Sequence, residues 1–231
     1  MIQLVYSPKW FYGKDIVIDV VSILILFLIG IFSIKYYYID KKNKNYICLA
    51  ASFFTLATAF LFKILTNITI YYINTETKQI GFVTYSYEAI KSTDILFVSG
   101  FLLYRILTIL SLYLLYSIHQ KQPKSNIAII IYLILVSTYF SQSAYYMFHI
   151  TSLIILALIT AHYIEIYKEN RLHTSKLLAY SFGLVTTSQI LFIFINVNPL
   201  FYVIAEVVQL IGYITLLITF ILVLRHGKKK K

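Results

Sequence analysis

Apolar positions run almost unbroken along this chain in seven long stretches, separated by short segments rich in Lys, Asn, Ser and Tyr. A helix needs about 20 apolar residues to cross a hydrocarbon layer. The pattern predicts spans near 16–38, 46–73, 94–118, 126–141, 143–167, 175–196 and 200–225, the fourth being the shortest. The expected fold is therefore all-α, a polytopic membrane protein built as a seven-transmembrane-helix bundle in one domain, 1–231. Connections are short, and the longest polar one runs from Asn74 to Thr93, with Glu76, Glu88 and an Asn-Thr-Glu-Thr-Lys turn signal. That leaves no room for a separate soluble domain.

Composition supports this pattern. Only 13% of residues are charged against 60% hydrophobic, whereas soluble chains carry about 25% charged residues. Lipid is the expected solvent for most of the surface. The net charge of +11 does not point to nucleic acid, because the basic residues sit in short segments between apolar runs instead of on one folded face. A single cysteine, Cys48, excludes an internal disulfide and any Cys-based metal site.

The charges act instead as a topology signal. Lys35, Lys41, Lys42 and Lys44, Lys121 and Lys124, Lys168, Arg171 and Lys176, and Arg225 with Lys228 to Lys231 all fall on one side of the seven spans. Lys9, Lys14, Lys78 and Lys91 fall on the other. The positive-inside rule then puts the N-terminus outside and the C-terminus in the cytoplasm of a cell membrane crossed several times. The first span is longer than a signal-peptide core and lacks a small-residue cleavage pattern. The arm before it, with Trp10, Phe11 and Tyr12, reads as an interfacial anchor. The basic tail reads as a contact to anionic lipid.

Charges inside spans are few and therefore informative, since each costs roughly 2.5–3.5 kcal/mol on insertion scales and normally faces a partner inside the bundle. Lys63, Arg105, Gln209, Glu206, Gln189 and His149 all fall at a similar outer level. For Lys63, Arg105 and Gln209 the expected depth is roughly 15–17 Å at about 1.5 Å per residue. Residues three or four apart share a helix face. Span two accordingly presents Ser52, Thr55, Ala59, Lys63, Thr66 and Asn67 as one stripe, and span seven presents Glu206, Gln209 and Tyr213. Two cations against one deep acid leave room for a second partner, Asp19 or Asp94, or for an anionic ligand group. A layer in which Glu206 bridges Lys63 or Arg105 would serve only to fix helix register.

Other chemistry finds little support. His149 and His162 point to different faces of one helix, so no bis-histidine haem site follows. Span seven has no lysine for a retinal Schiff base. No Gly-x-Ser-x-Gly elbow and no clustered carboxylates or His-x-x-x-His are present. No catalytic residue, metal ligand or cofactor is assigned.

Three stretches resemble uncharacterised archaeal seven-helix membrane proteins of about this length: Ser7-Pro8-Lys9-Trp10-Phe11-Tyr12-Gly13, Phe60-Leu61-Phe62-Lys63-Ile64-Leu65-Thr66-Asn67 and Ala205-Glu206-Val207-Val208-Gln209-Leu210-Ile211-Gly212-Tyr213. That family carries no assigned activity. More distantly, the layout is similar to the seven-helix sensor region at the N-terminus of some histidine kinases, although this chain stops a few residues after the seventh span and carries no kinase output.

The resulting expectation is a non-enzymatic membrane protein, sensor-like or an accessory subunit. Its outer-half layer of Lys63, Asn67, Arg105, His149, Gln189, Glu206 and Gln209 holds a small anionic ligand or locks the bundle. Its partners are the lipid bilayer and a membrane or cytoplasmic protein that reads its loops or tail. A transporter of protons, ions or a small solute is the alternative, weakened by the lack of prolines inside spans and by a cytoplasmic half with only mild polarity. A lipid-modifying enzyme using Glu206 or His149 ranks below both.

Overall fold

The computed structural model describes residues 7–39, 43–71, 74–80, 83–89, 95–118, 124–141 and 144–229. Among these, seven α-helices follow one another: α1 (Lys14–Ile39), α2 (Asn45–Tyr71), α3 (Ile95–Ser117), α4 (Lys124–Phe140), α5 (Tyr146–Asn170), α6 (His173–Ile193) and α7 (Leu200–Lys229). Each coincides with one expected span to within a few residues. Six are long and apolar enough to cross a membrane, whereas α4, at 17 residues, falls short of that length. Their outward faces carry large apolar side chains such as Val17, Leu24, Phe27, Ile131, Ile154 and Ile218.

The polar connection after α2 does not stay a loop. It pairs as two antiparallel strands, β1 (Asn74–Ile80) and β2 (Val83–Ala89), with Ile80 opposite Val83. The expected turn at Asn74 to Lys78 lies inside β1. Turn-type residues here are outweighed by the β-branched and aromatic positions Thr75, Thr77, Ile80, Val83, Thr84, Tyr85 and Tyr87, which favour strand.

Helix ends are set by local polar groups. The Asn43 side chain accepts from the Asn45 amide at 3.1 Å, and Asn198 accepts from the Leu200 amide at 2.9 Å with Pro199 between them. Both are N-caps, and a proline beside the start of a helix sacrifices a donor that would be unpaired anyway. α5 stops where Arg171 turns left-handed at φ 53°, its amide bonding to the Tyr167 carbonyl at 2.9 Å.

The helices pack as a ring in the order α1, α2, α3, α5, α6, α7, closed by α7 against α1. α4 lies outside this ring against α3 and α5. Inside the ring Leu26, Ile29, Phe53, Phe60, Leu156, Ile159 and Leu216 form the main core, with Phe182 and Tyr213 beside them. Three glycines allow close approach: a Cβ on Gly30 would lie 2.7 Å from the Phe54 ring, one on Gly100 2.7 Å from Thr66 Oγ1, and one on Gly212 2.7 Å from Val185 Cγ2. Most Ser and Thr hydroxyls donate to a carbonyl one turn back on their own helix, as Ser33 does to Ile29 and Thr219 to Thr215, which lets them sit in an apolar element. Ser52 and Ser111 depart from that habit. Each donates to the other's carbonyl, at 2.8 and 2.9 Å, clasping α2 to α3.

Candidate functional site: a buried ionic layer at one end of the bundle

Asp15 and Asp19 belong to the first turns of α1, Lys63 and Asn67 to the last turns of α2, and Glu206 to the second turn of α7. Antiparallel packing of neighbours therefore brings all five to the same end of the ring. Lys63 Nζ donates to Asp19 Oδ1 at 2.7 Å and to Glu206 Oε1 at 2.6 Å. Asp19 is 0% exposed and Glu206 1%, so the ammonium is enclosed between two buried carboxylates. The Phe60 ring lies 5.3 Å below it. Since charge-assisted bonds strengthen where water is excluded, this triad joins three helices at the place where the ring closes.

Asp15 extends the layer. It is fully buried, with Asn67 Nδ2 and the Tyr202 hydroxyl each 3.4 Å from Oδ2. Three buried acids, Asp15, Asp19 and Glu206, thus share this end of the ring with Lys63 and Arg105. The second partner of the layer is Asp19, and it pairs with Lys63 instead of Arg105. Asp94 lies outside the described residues.

Arg105 reaches from α3 to the end of α4. Its Nη1 donates to the Ser141 carbonyl at 2.7 Å, just past the end of α4, and its guanidinium stacks 3.7 Å from the Phe101 ring centre and 5.4 Å from Phe148. It satisfies a carbonyl left open by a helix end and ties α4 to the ring. Glu206 closes on Lys63 and not on Arg105, because Lys63 meets both acids where α1, α2 and α7 converge, while Arg105 points along α3 toward α4.

Between Lys63 and Arg105 lies a cavity of about 100 Å³. Five of the seven expected residues line it: Lys63, Asn67, Arg105, His149 and Glu206. Tyr104, Tyr145 and Tyr202 add hydroxyls, and Phe101, Phe192 and Ile195 add apolar wall. His149 Nδ1 sits 2.9 Å from Gln189 Oε1, and the imidazole stacks on Phe192 at 4.9 Å. Gln189 and Gln209 face a second, smaller space one layer deeper, where Gln209 donates to the Tyr213 hydroxyl at 3.0 Å. Glu206 sits one turn above the level of the others, as its spacing from Gln209 sets. Measured from the helix ends at about 1.5 Å per residue, Glu206 lies roughly 9 Å deep, Lys63 roughly 12 Å and Arg105 roughly 15 Å.

No family model matches this chain, and no curated protein or solved structure is similar to it. The arrangement must therefore be read from its own geometry. Sequence reasoning missed Asp15, whose place at the start of a span resembles an ordinary interfacial charge. The i, i+4 spacing of Asp15 and Asp19 was the available signal, since it sets both on one helix face.

An aromatic cover closes this end. Phe11, carried by the short 3-10 turn Lys9–Phe11, packs with Tyr145, Phe192, Ile195, Tyr202 and Ala205, while its neighbour Trp10 stays 56% exposed. The Tyr145 hydroxyl lies 2.9 Å from the Phe192 carbonyl and 2.7 Å from that of Ile193, so its one hydrogen is shared between two carbonyls at the end of α6. Among the described residues no group of three or more His, Cys, Asp or Glu is placed to hold a metal.

Proposed function

We propose that this is a non-enzymatic, multi-pass integral membrane protein of sensor or accessory type, whose ionic layer is an interhelical lock. Seven helices cross the bilayer in this reading, α4 as a short outer one, with the N-terminus outside and the C-terminus cytoplasmic. The excess of Lys and Arg on the α1–α2, α3–α4 and α5–α6 connections and on the tail supports that orientation. The observation that carries the lock is the enclosure of Lys63 between Asp19 of α1 and Glu206 of α7. A cation already held by two carboxylates needs no anionic ligand. The small cavity beside Arg105 and His149 supports a second reading, in which a small anion enters next to the guanidinium.

Thermal unfolding in lipid nanodiscs, with and without formate, acetate, phosphate and bicarbonate, separates the two. The lock predicts one unfolding midpoint for all of them. Stabilisation by any anion that disappears in Arg105→Gln would replace the lock with the ligand reading. Topology is tested by placing single cysteines at Thr77 and Lys231 in a Cys48→Ser background. An impermeant thiol reagent should label the first from outside intact cells and the second only after lysis.

A further inference from the structure

A second cavity, of about 500 Å³, opens on the outer side of α5 and α6 at the opposite end of the bundle from the ionic layer. Thr160, Ile164 and Tyr167 wall it from α5, and Ala179, Gly183 and Leu184 from α6. A Cβ on Gly183 would touch nothing nearer than Thr160 Cγ2 at 3.8 Å, so the missing side chain leaves open space along the groove.

The groove is apolar along its length and basic at one end. The Thr160 and Thr187 hydroxyls at its deep end donate to Leu156 and Gly183 carbonyls on their own helices, at 2.8 and 2.9 Å, so they leave no polar demand there. At the shallow end Lys176 Nζ lies 6.0 Å from the Tyr167 ring centre and 5.8 Å from that of Tyr180. Two aromatic faces hold the ammonium at the mouth. Arg171, on the short α5–α6 connection, lies 5.9 Å from the same Tyr167 ring. Among the described residues no carboxylate comes within ion-pair distance of Lys176, and neither Glu165 nor Glu169 of α5 lines the groove.

Its length fits one lipid leaflet. From Lys176 to Thr187 along α6 is about 16 Å at 1.5 Å per residue, against about 15 Å for half of a 30 Å hydrocarbon layer. The geometry points to a binding site for one anionic glycerophospholipid of the cytoplasmic leaflet, with an acyl chain in the α5–α6 groove and its phosphate at Lys176. The charge on the mouth and the apolar walls complement the two ends of that molecule. This inference rests on the membrane placement and orientation proposed above.

The test uses the full chain with Trp10→Phe and Tyr180→Trp, so that one tryptophan reports on the groove, in nanodiscs containing phospholipids brominated on the acyl chain. Brominated phosphatidylglycerol should quench that tryptophan with about fivefold higher apparent affinity than brominated phosphatidylcholine, the ratio equivalent to about 1 kcal/mol for one basic side chain at an anionic surface. Lys176→Gln should abolish the preference, and Gly183→Leu should reduce quenching by both lipids while leaving the unfolding midpoint unchanged. Equal quenching by the two headgroups, or a preference that survives Lys176→Gln, overturns the site and leaves the membrane reading standing. Absence of quenching by either lipid overturns both.

Discussion

Replacing Lys63 by Met tests the lock most directly. The change keeps a long unbranched side chain and removes only the ammonium, so Asp19 and Glu206 lose the donor that holds them at 2.7 and 2.6 Å. Both carboxylates are buried to 1% exposure or less, so neither can turn out to bulk solvent when the donor is lost. Removing one partner of a buried ion pair costs about 3–5 kcal/mol, mostly because the remaining charge is stranded. Two acids are stranded here, which puts the expected loss at the upper part of that range. Reversible unfolding in mixed detergent and lipid measures it, with Lys168→Met on an exposed turn of α5 as a control expected to change little. The triple variant Asp19→Leu, Lys63→Met, Glu206→Met should recover to within about 1 kcal/mol of the parent, since apolar side chains of similar size need no partner. A Lys63→Met protein within 1 kcal/mol of the parent would refute the lock, as would a triple variant no better than the single one.

Other parts of the bundle give separate expectations. Gly212→Val should destabilise by about 1–3 kcal/mol through overpacking against Val185, and adding Val185→Ala should return part of that in the same unfolding assay. Ser52→Ala and Ser111→Ala should each cost about 0.6 kcal/mol and be close to additive in a double-mutant cycle, because the acceptor of each hydroxyl is a backbone carbonyl that the other substitution leaves in place. Tyr145→Phe should cost about 0.5–1.5 kcal/mol and speed amide hydrogen exchange over residues 192–197, leaving the middle of α5 unchanged.

The helices were legible because length and apolarity are local properties. Each of the seven expected stretches is helical, six of them long and apolar enough to cross a membrane, and the short fourth one is the helix that lies outside the ring. Faces were legible too: Ser52, Ala59, Lys63 and Thr66 of α2 are buried together, as are Glu206, Gln209 and Tyr213 of α7. Pairing was not legible. Lys63 and Arg105 look alike in sequence, and only the order of helices around the ring gives one of them two carboxylates and the other a helix-end carbonyl. Asp15 escaped notice because burial of a residue at a helix start depends on what covers it, here Tyr202 and Asn67 from distant parts of the chain. The hairpin between α2 and α3 was masked by the turn-type residues Asn74 and Lys78, although Thr75, Thr77, Val83, Tyr85 and Tyr87 carried the strand signal.

The triad also bears on how such a protein is assembled. Asp19 and Lys63 sit on the first two helices, so a nascent hairpin of α1 and α2 carries its own compensating charge pair into lipid. Glu206 has no cation within two turns of it on α7 and is paired by Lys63, more than 140 positions earlier in the chain. The same contact that pairs Glu206 lies where α7 meets α1, so closing the ring and neutralising that buried acid coincide.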